Sequence, residues 1–476
     1  MIDFADRRVQ LGIGGAVAAL LLLAVAYVIG VGDFRQLALV LGLIAAGPLV
    51  LLALRNPYLF PYGLYILLIP FDQLLSIGSA GTITKFLGLA ATVFVLIYII
   101  RKRMIMRPPL PLYFALPYFG LVLLSIMWTP SIRTASVEAP SISSYVLMYA
   151  VLSLAPLDRA QLRTICSCIL IGGVLGALYG MYMLAGAHAS APENADYGRL
   201  MITVGGHRID PNQFANALLG PIAIAVVWLT HTRNVARALA LVAAIGILAE
   251  GVLISLSREA LVACLAVGVV IILYSRRRVL GFGVLFAAAA ASFALVPAIA
   301  GRMMDAFKTG GAGRTGIWHT DIAAWAVHPV FGWGVGGAED AYNAFLLRVA
   351  PRYFTGWGRP PHNTLLVALV ELGIVGAVLV SAAYLSSFSL LRTIERGSEL
   401  FPTKVALTAA LAGLGVAAMF IDLTVYKFLW VVVVGIAQLH NVAALDPAAA
   451  RAPAPAPARP PRYAGLVRVR GSLPTS

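Results

Sequence analysis

Charged residues are scarce in this sequence. They make up 12% of the 476 residues, whereas soluble domains carry about 25%. Hydrophobic residues make up 60%, and the mean hydropathy is +0.89. A soluble fold of this length cannot bury so much apolar surface and still cover its exterior with polar groups. The composition therefore excludes an ordinary soluble enzyme and predicts a membrane protein.

Cysteine and acidic residues are also few. The three cysteines, Cys166, Cys168 and Cys264, lie in apolar runs, which indicates small buried side chains and predicts neither a disulfide nor a metal site. Twenty acidic residues stand against 35 basic ones, for a net charge of +15. In a soluble protein this excess would suggest nucleic acid. In a membrane protein it marks topology, because cytoplasmic loops collect Lys and Arg, so no nucleic-acid partner is predicted.

Long apolar runs recur along the chain. They predict an all-α, polytopic helical bundle with about 14 (12–14) transmembrane helices, at roughly 20 residues per span. The run 58–77 contains Pro61, Pro70 and Asp72 and is expected to be kinked or re-entrant. The run 141–157 is short for a full span. The predicted spans are 9–29, 34–54, 58–77, 82–100, 111–128, 141–157, 164–186, 212–230, 237–255, 259–274, 279–298, 363–391, 405–421 and 428–445.

The basic clusters predict the orientation of these spans. If Arg7-Arg8 lie in the cytoplasm, every basic triplet falls on the cytoplasmic side together with most other basic residues. Both termini are then cytoplasmic. Residues 1–446 are predicted to form one transmembrane domain. The Pro-, Ala- and Arg-rich stretch 447–476 is predicted to be a disordered cytoplasmic tail, because it can neither bury a core nor continue a helix.

One long segment, 299–361, lies on the opposite side and holds four of the seven tryptophans. Ile317, Trp318, Ile322 and Trp325 have helical spacing, which predicts an amphipathic helix on the membrane surface. Tryptophans of the interfacial aromatic belt are the simpler interpretation. Arginine offers a fork that suits phosphate. Arginines beside aromatic rings therefore favour a lipid-phosphate substrate carrying sugars.

Four short motifs in this half of the chain resemble the O-antigen ligase and polysaccharide polymerase family. GRTGIWHTDIAAWAVHPVFGWGVGG contains a Gly-Arg-x-x-x-Trp-like start and an x-Pro-x-x-Gly-x-Gly turn. PPHNTLLVALVELGIVG contains His362-Asn363, with Gly373 ten residues after the asparagine. SLSREALVACLAVG contains Ser257-Arg258, and RIDPNQFANALLGPIAIAV contains Asp210-Pro211-Asn212. The motifs run through residues 205–380.

The resemblance implies a fold and a reaction. The fold is the C-type glycosyltransferase architecture in the bacterial inner membrane, with one large periplasmic loop at 299–361. The donor is an undecaprenyl-diphosphate-linked glycan, the acceptor is a glycan or lipid, and neither a metal nor another cofactor is expected. A ligase transfers the glycan to an acceptor such as lipid A-core, and a polymerase joins lipid-linked repeats. The alternative from another class is a lipid-linked glycan transporter or flippase, which is disfavoured because the sequence shows no similarity between its halves.

The candidate site residues all fall on the outer side in the predicted topology. His362 is the predicted general base, since its ordinary pKa lies near neutrality and Pro360-Pro361 restrain it. The alternatives are a hydrogen bond or phosphate contact with the substrate, or a structural bond beside the helix cap. The resemblance assigns Arg258 and Arg314 to the diphosphate, although a snorkelling arginine is the simpler interpretation of Arg258. Supporting roles are expected for Arg208, Asp210, Asn212 and Asn363, although Asp210, Asn212 and Asn363 are also typical of helix starts.

Three acidic residues near or within spans need an explanation of their own. Glu371 lies deep in the span that follows His362, and pairing with an arginine of another span is the hypothesis for its charge. Asp72 and Asp422 lie near outer ends and are expected to reach water. The remaining outer histidines, His188, His207, His319 and His328, carry no motif and are expected at the surface.

Overall fold

The structure, a computed structural model, describes residues 47–72, 75, 82–185, 202–204, 207–308, 313–349 and 356–451. Arg7-Arg8, the predicted span 9–29, most of 34–54 and nearly all of the predicted tail lie outside these residues. Within them the chain is helical apart from one short antiparallel hairpin. The prediction of an all-α fold is therefore confirmed for the described part of the chain.

The first half of the described chain departs from the predicted spans in two places. In the described part of the run 58–77, which leaves out residues 73–74 and 76–77, a short helix continues into a 3-10 turn at Ile69–Phe71 containing Pro70. The run 141–157 belongs to a longer helix that starts already at Ile132. The elements are α1 (Tyr62–Leu68), α2 (Ile83–Lys102), α3 (Leu110–Ser125), α4 (Ile132–Ser153), α5 (Arg159–Ala185), β1 (Ile202–Val204) and β2 (His207–Ile209).

The second half follows the predicted spans closely, and the segment 299–361 contributes helices of its own. The elements are α6 (Pro211–Ala217), α7 (Leu219–His231), α8 (Val235–Ile254), α9 (Arg258–Tyr274), α10 (Arg278–Leu295), α11 (Pro297–Lys308), α12 (Arg314–Trp325), α13 (Ala338–Val349), α14 (Thr364–Ser387), α15 (Phe401–Ala417), α16 (Lys427–Leu445) and α17 (Pro447–Ala450). A 3-10 turn, Phe388–Leu391, extends α14.

Six helical segments among the described residues are long and apolar enough to cross a membrane. They are Ile83–Lys102, Arg159–Ala185, Pro211–His231, Val235–Ile254, Thr364–Leu391 and Lys427–Leu445. Shorter apolar helices accompany them at Tyr62–Phe71, Leu110–Ser125, Arg278–Ala294 and Phe401–Ala417. The chain is thus a membrane protein. The count of about 14 spans and the sidedness of the bundle stay predictions.

Helix α14 is interrupted at Gly373, whose backbone (φ 66°, ψ −165°) is not helical. The loop after α12 lies against this break and supplies the hydrogen bonds that the helix loses there. Three bonds run from a backbone N–H to a backbone carbonyl: Trp333 to Val370 (2.8 Å), Gly334 to Glu371 (2.7 Å) and Ile374 to Pro329 (2.9 Å). Because lipid offers no hydrogen bonds, irregular backbone at this depth needs such protein partners. A side chain at Gly373 would collide with the Val330 backbone, which explains the glycine.

Helices α12 and α13 pack on the first turns of α14. Their apolar contact includes Ala324, Ala338 and Val370, with three tryptophans around it. Each indole N–H donates to a backbone carbonyl: Trp318 to Pro361 at 2.9 Å, Trp325 to Pro329 at 3.0 Å and Trp333 to Ala324 at 2.8 Å. These three bonds lie within the segment 299–361, and its contact with the bundle comes from the tryptophan rings, which pack on a cluster that includes Leu366 and Val370 of α14. Trp357, in contrast, is 57% exposed.

The predicted helix at 315–328 is confirmed as α12, and its place on the membrane surface stays a prediction. Two residues of its predicted apolar face differ in environment: Ile317 is buried against protein, whereas Ile322 is exposed. The buried face instead contains small and polar residues, among them Thr320 and Asp321. The reason is that α12 packs against α13 and α14, so helical spacing of apolar residues did not reveal which side meets protein.

Candidate active site

Arg314 forms an ion pair with an acid that the sequence motifs did not single out. Its Nη2 lies 2.9 Å from Oε2 of Glu259, whose side chain is 4% exposed. The other carboxylate oxygen of Glu259 accepts from Nδ2 of the buried Asn216 at 3.3 Å. The Arg314 guanidinium carbon also lies 5.7 Å from the centre of the Phe420 ring, a cation–π distance. Arg314 is therefore fixed by side chains from α9, α6 and the segment after α15.

Both candidate diphosphate residues occupy the first position of a helix. Arg258 begins α9 after Ser257, whose Oγ accepts the Ala260 N–H at 3.3 Å. Arg314 begins α12 after Gly313, whose φ of 82° favours glycine. The Glu259–Arg314 pair brings these two helix starts together. Helix N-termini present N–H groups and positive dipole ends, so this arrangement suits an anion.

His362 lies between Pro361 and the cap of α14. Its backbone has φ 50°, a conformation that is rare outside glycine and that persists where the surroundings enforce it. The surroundings are visible on both sides: Trp318 bonds the Pro361 carbonyl, and the Asn363 side chain accepts the Leu366 N–H at 3.0 Å. Asn363 also donates to the Met419 carbonyl at 3.2 Å. The helix-cap interpretation of Asn363 is thus confirmed.

The charges around His362 connect it to the arginine site. Burial lowers the pKa of the imidazole below its ordinary value. The Arg314 guanidinium lowers it further, the Asp210 carboxylate raises it and Arg359 lowers it. The structure therefore brings His362, Arg314 and Asp210 within electrostatic range of one another. A neutral imidazole at physiological pH follows from the lowered pKa, and a neutral imidazole can accept a proton.

The motif around Asp210 serves as a helix start. The Asp210 side chain accepts the Asn212 N–H at 2.8 Å and caps α6, with Pro211 as the first helical residue. Arg208 lies on β2, where its backbone pairs with Thr203, and its side chain is outside the described structure. Asn212 is half-buried at the start of α6. Asp210 thus has both a capping role and an electrostatic effect on His362.

Two buried acids escaped the sequence patterns. Glu259 follows the motif residue Arg258 directly, and its signal was an acidic residue at the start of an apolar helix, where a charge requires a partner. Asp321 is fully buried on α12, and neither of its carboxyl oxygens has a hydrogen-bond partner among the described residues. Burial raises the pKa of Asp321 to about 8, so this carboxyl is largely protonated at neutral pH.

The expectations for three other acids are corrected. Among the described residues, the Glu371 carboxylate accepts the N–H of Ala338, at the start of α13, at 3.4 Å and pairs with no arginine of another span. Asp72 pairs with the buried Lys427 at 2.6 Å instead of simply reaching water. Asp422 accepts the Thr424 N–H at 3.0 Å and the Thr424 hydroxyl at 2.8 Å. Spacing along the chain did not reveal the partners of Asp72 and Glu371, because Lys427 and Ala338 are distant in sequence, whereas Thr424 lies two residues after Asp422.

The fold and this site define a many-helix membrane protein with a half-buried arginine, held by a buried carboxylate, and a histidine at one end of its bundle. Residues 243–381 match the model of a protein family described as O-antigen ligase. This match, over less than a third of the chain, supports the resemblance to the O-antigen ligase family seen in the motifs. The match includes Arg258, Glu259, Arg314, His362 and Gly373, and it begins after the Asp210 motif. No curated protein matches the chain.

Proposed function

We propose that this protein is a glycosyltransferase of the bacterial inner membrane that works at the periplasmic face on a glycan linked to undecaprenyl diphosphate. The reaction favoured is O-antigen ligase-type transfer of that glycan to an acceptor such as lipid A-core. The observation that carries the proposal is the Arg314–Glu259 pair beside His362, within the segment that matches the O-antigen ligase family. No metal takes part in the proposed step.

The proposed step is an inverting displacement at the anomeric carbon. The acceptor hydroxyl oxygen bonds to that carbon while the bond from carbon to the diphosphate oxygen breaks. His362 takes the proton of the hydroxyl, and the diphosphate leaves with the bonding electrons. Arg258 and Arg314 stabilise the negative charge that grows on the leaving group, an interaction stronger in the transition state than in the bound donor.

Alanine variants test these roles. His362→Ala, Arg258→Ala and Arg314→Ala are each expected to abolish glycan transfer in membranes that contain normal amounts of the protein. The matched controls are His319→Ala and Arg348→Ala, because both residues are exposed on the same segment of chain. Near-normal transfer by His362→Ala would contradict the assignment of the base. Equal loss in the controls would mean that the segment had lost its fold.

The accumulated intermediate separates ligase from polymerase. Deletion of the gene is expected to remove lipid A-linked glycan from the surface while long lipid-linked chains accumulate. Accumulation of single lipid-linked repeats would instead identify a polymerase that joins O-antigen or exopolysaccharide units. If the surface glycan is unchanged and no lipid-linked sugar accumulates, the proposed function is wrong.

A further inference from the structure

A small cavity of about 130 Å³ lies between the starts of α6 and α16 and the 3-10 turn after α1. Its lining combines polar groups with an apolar remainder. The polar groups belong to Asp72, Gln213, Lys427, Tyr145 and Tyr426. Ligand pockets in proteins have this composition, a mostly apolar lining with a few placed polar groups that fix orientation.

The charged groups of the cavity neutralise each other. Lys427 Nζ lies 2.6 Å from Asp72 Oδ1 and donates to the Thr84 hydroxyl at 2.7 Å. An anion would therefore meet no net positive charge from this pair. A hydrocarbon chain would cover this ion pair and the Gln213 amide without giving either a hydrogen bond, which is costly. The lining thus favours an uncharged ligand with several hydroxyl groups.

The size of the cavity suits a small polar group. A cavity of about 10–15 Å³ holds one water molecule, so this space accommodates several waters or a sugar ring. Carboxylate, amide and ammonium groups together accept from and donate to hydroxyls. The rings of Tyr426 and Phe428, which stack with centres 5.6 Å apart, offer apolar faces to the C–H groups of such a ring.

The cavity adjoins the arginine site through two elements. Gln213 lies on α6. The cap residue of this helix, Asp210, raises the pKa of His362, and Asn216 of the same helix donates a hydrogen bond to Glu259. Burial raises the pKa of Tyr426, and the carboxylates of Asp210 and Glu259 raise it further. A group in the cavity is therefore a neighbour of a diphosphate held at Arg314.

We propose that this cavity is the subsite for the sugar ring bonded directly to the lipid diphosphate. The inference rests on the proposed function and extends it, because it assigns recognition of that sugar to Asp72, Lys427 and Gln213. Discrimination between sugars then arises from hydrogen bonds to ring hydroxyls, which reject a ligand that lacks them more strongly than apolar contacts do.

The test compares two lipids on the purified full-length protein in nanodiscs. One is the lipid-linked glycan that accumulates when the gene is deleted, and the other is undecaprenyl diphosphate without sugar. The wild type is expected to bind the glycan-bearing lipid more tightly. Gln213→Leu should reduce that preference by about tenfold, with unchanged affinity for the bare lipid, which also reports that the protein is folded. Gln161→Leu, at the start of α5 and away from the cavity, should keep the full preference.

The outcomes distinguish a wrong sugar subsite from a wrong proposed function. A preference that persists in both Gln213→Leu and Asp72→Asn would overturn the sugar subsite, and so would a wild type that binds the two lipids equally. Neither result would contradict the assignment of Arg258 and Arg314 to the diphosphate. If the wild type binds neither lipid, or if no lipid-linked glycan accumulates, the proposed function itself fails and the inference fails with it.

Discussion

The position of Arg314 is fixed by the carboxylate of Glu259, which lies on another helix, α9. Glu259 is nearly inaccessible to solvent, and its second oxygen is held by Asn216. A guanidinium paired on one side keeps its other N–H groups for a ligand. The arrangement also lowers the entropy lost when the ligand binds, because the long side chain is already fixed. Glu259 is therefore a positioning residue for the proposed diphosphate site.

Removal of the Glu259 charge should reduce catalysis more than it reduces folding. Glu259→Gln is expected to lower kcat about 100-fold, because small displacements of a positioning group cost about that much. Glu259→Asp should retain more activity. Glu399→Gln is the matched control, since Glu399 also pairs with an arginine but at the exposed Arg159, and such pairs contribute little. Steady-state transfer kinetics and the melting temperature measure the difference; equal kcat in Glu259→Gln and wild type would contradict the role.

The lowered pKa of His362 predicts the pH dependence of transfer. A general base works in its neutral form, so kcat/KM should fall as the pH drops through this pKa, with a midpoint below 6.5. Arg359→Gln removes a nearby cation and should move the midpoint up. Asp210→Asn removes an anion, keeps a capping side chain and should move it down. A pH profile that is identical in both variants and the wild type would contradict the assignment of His362.

At the scale of elements, the interruption of α14 links the membrane helix to the loop that carries α12. Glu371 and the N–H groups of this loop meet at the break, so helix and loop satisfy each other's backbone groups. The Trp318 indole of α12 also donates to the Pro361 carbonyl, next to His362. Arg314 at the start of α12 and His362 before α14 thus depend on one joint.

Substitution of the glycine at this joint should disturb stability and activity together. Gly373→Ala adds a Cβ that meets the Val330 backbone and forces φ 66° on a non-glycine residue, a conformation that costs about 1–3 kcal/mol before any clash. The expected results are a lower melting temperature in detergent and loss of transfer. Gly246→Ala is the control, because that helical glycine has no neighbour within 4 Å. If the Gly373→Ala protein were as stable as the Gly246→Ala protein, the proposed dependence of stability on the link between α14 and the loop after α12 would be contradicted.

Local patterns predicted most elements and missed the contacts between them. Apolar runs predicted α2, α5, α8 and α16 because lipid imposes length and hydrophobicity on each helix separately. The start of α4 lay in a polar stretch, 132–140, where hydropathy carries no signal. The motifs also located Arg258, Arg314 and His362. Glu259, Asn216 and the backbone partners of Glu371 arise only when distant segments meet, and periodicity contains no information about that.

At the scale of the whole molecule, α6, α9, α12 and α14 begin at the same end of the bundle, and the candidate site lies at that end. The charge pattern of the sequence predicts that this end faces the periplasm. The prediction uses loops such as Arg276–Arg278, which were not used to identify the site.

Cysteine accessibility tests this orientation. In a chain whose three native cysteines are replaced by alanine, Trp357→Cys should react with a membrane-impermeant maleimide in cells with a permeabilised outer membrane. Arg277→Cys should react only after the inner membrane is opened. Both positions are exposed in the structure, so burial does not explain a difference. Labelling of Arg277→Cys in cells with an intact inner membrane would reverse the predicted topology.

The joint at Gly373 also determines which parts of this protein can be exchanged with relatives. The segment from α12 to α13 is not a module inserted between two helices, because part of its hydrogen bonding resides in α14. A chimaera that imports only residues 299–361 would join a foreign loop to a break shaped for another sequence. The smallest transferable unit therefore extends through Val375, the last residue of α14 whose N–H bonds this loop, so an exchanged loop has to bring the first half of that helix with it.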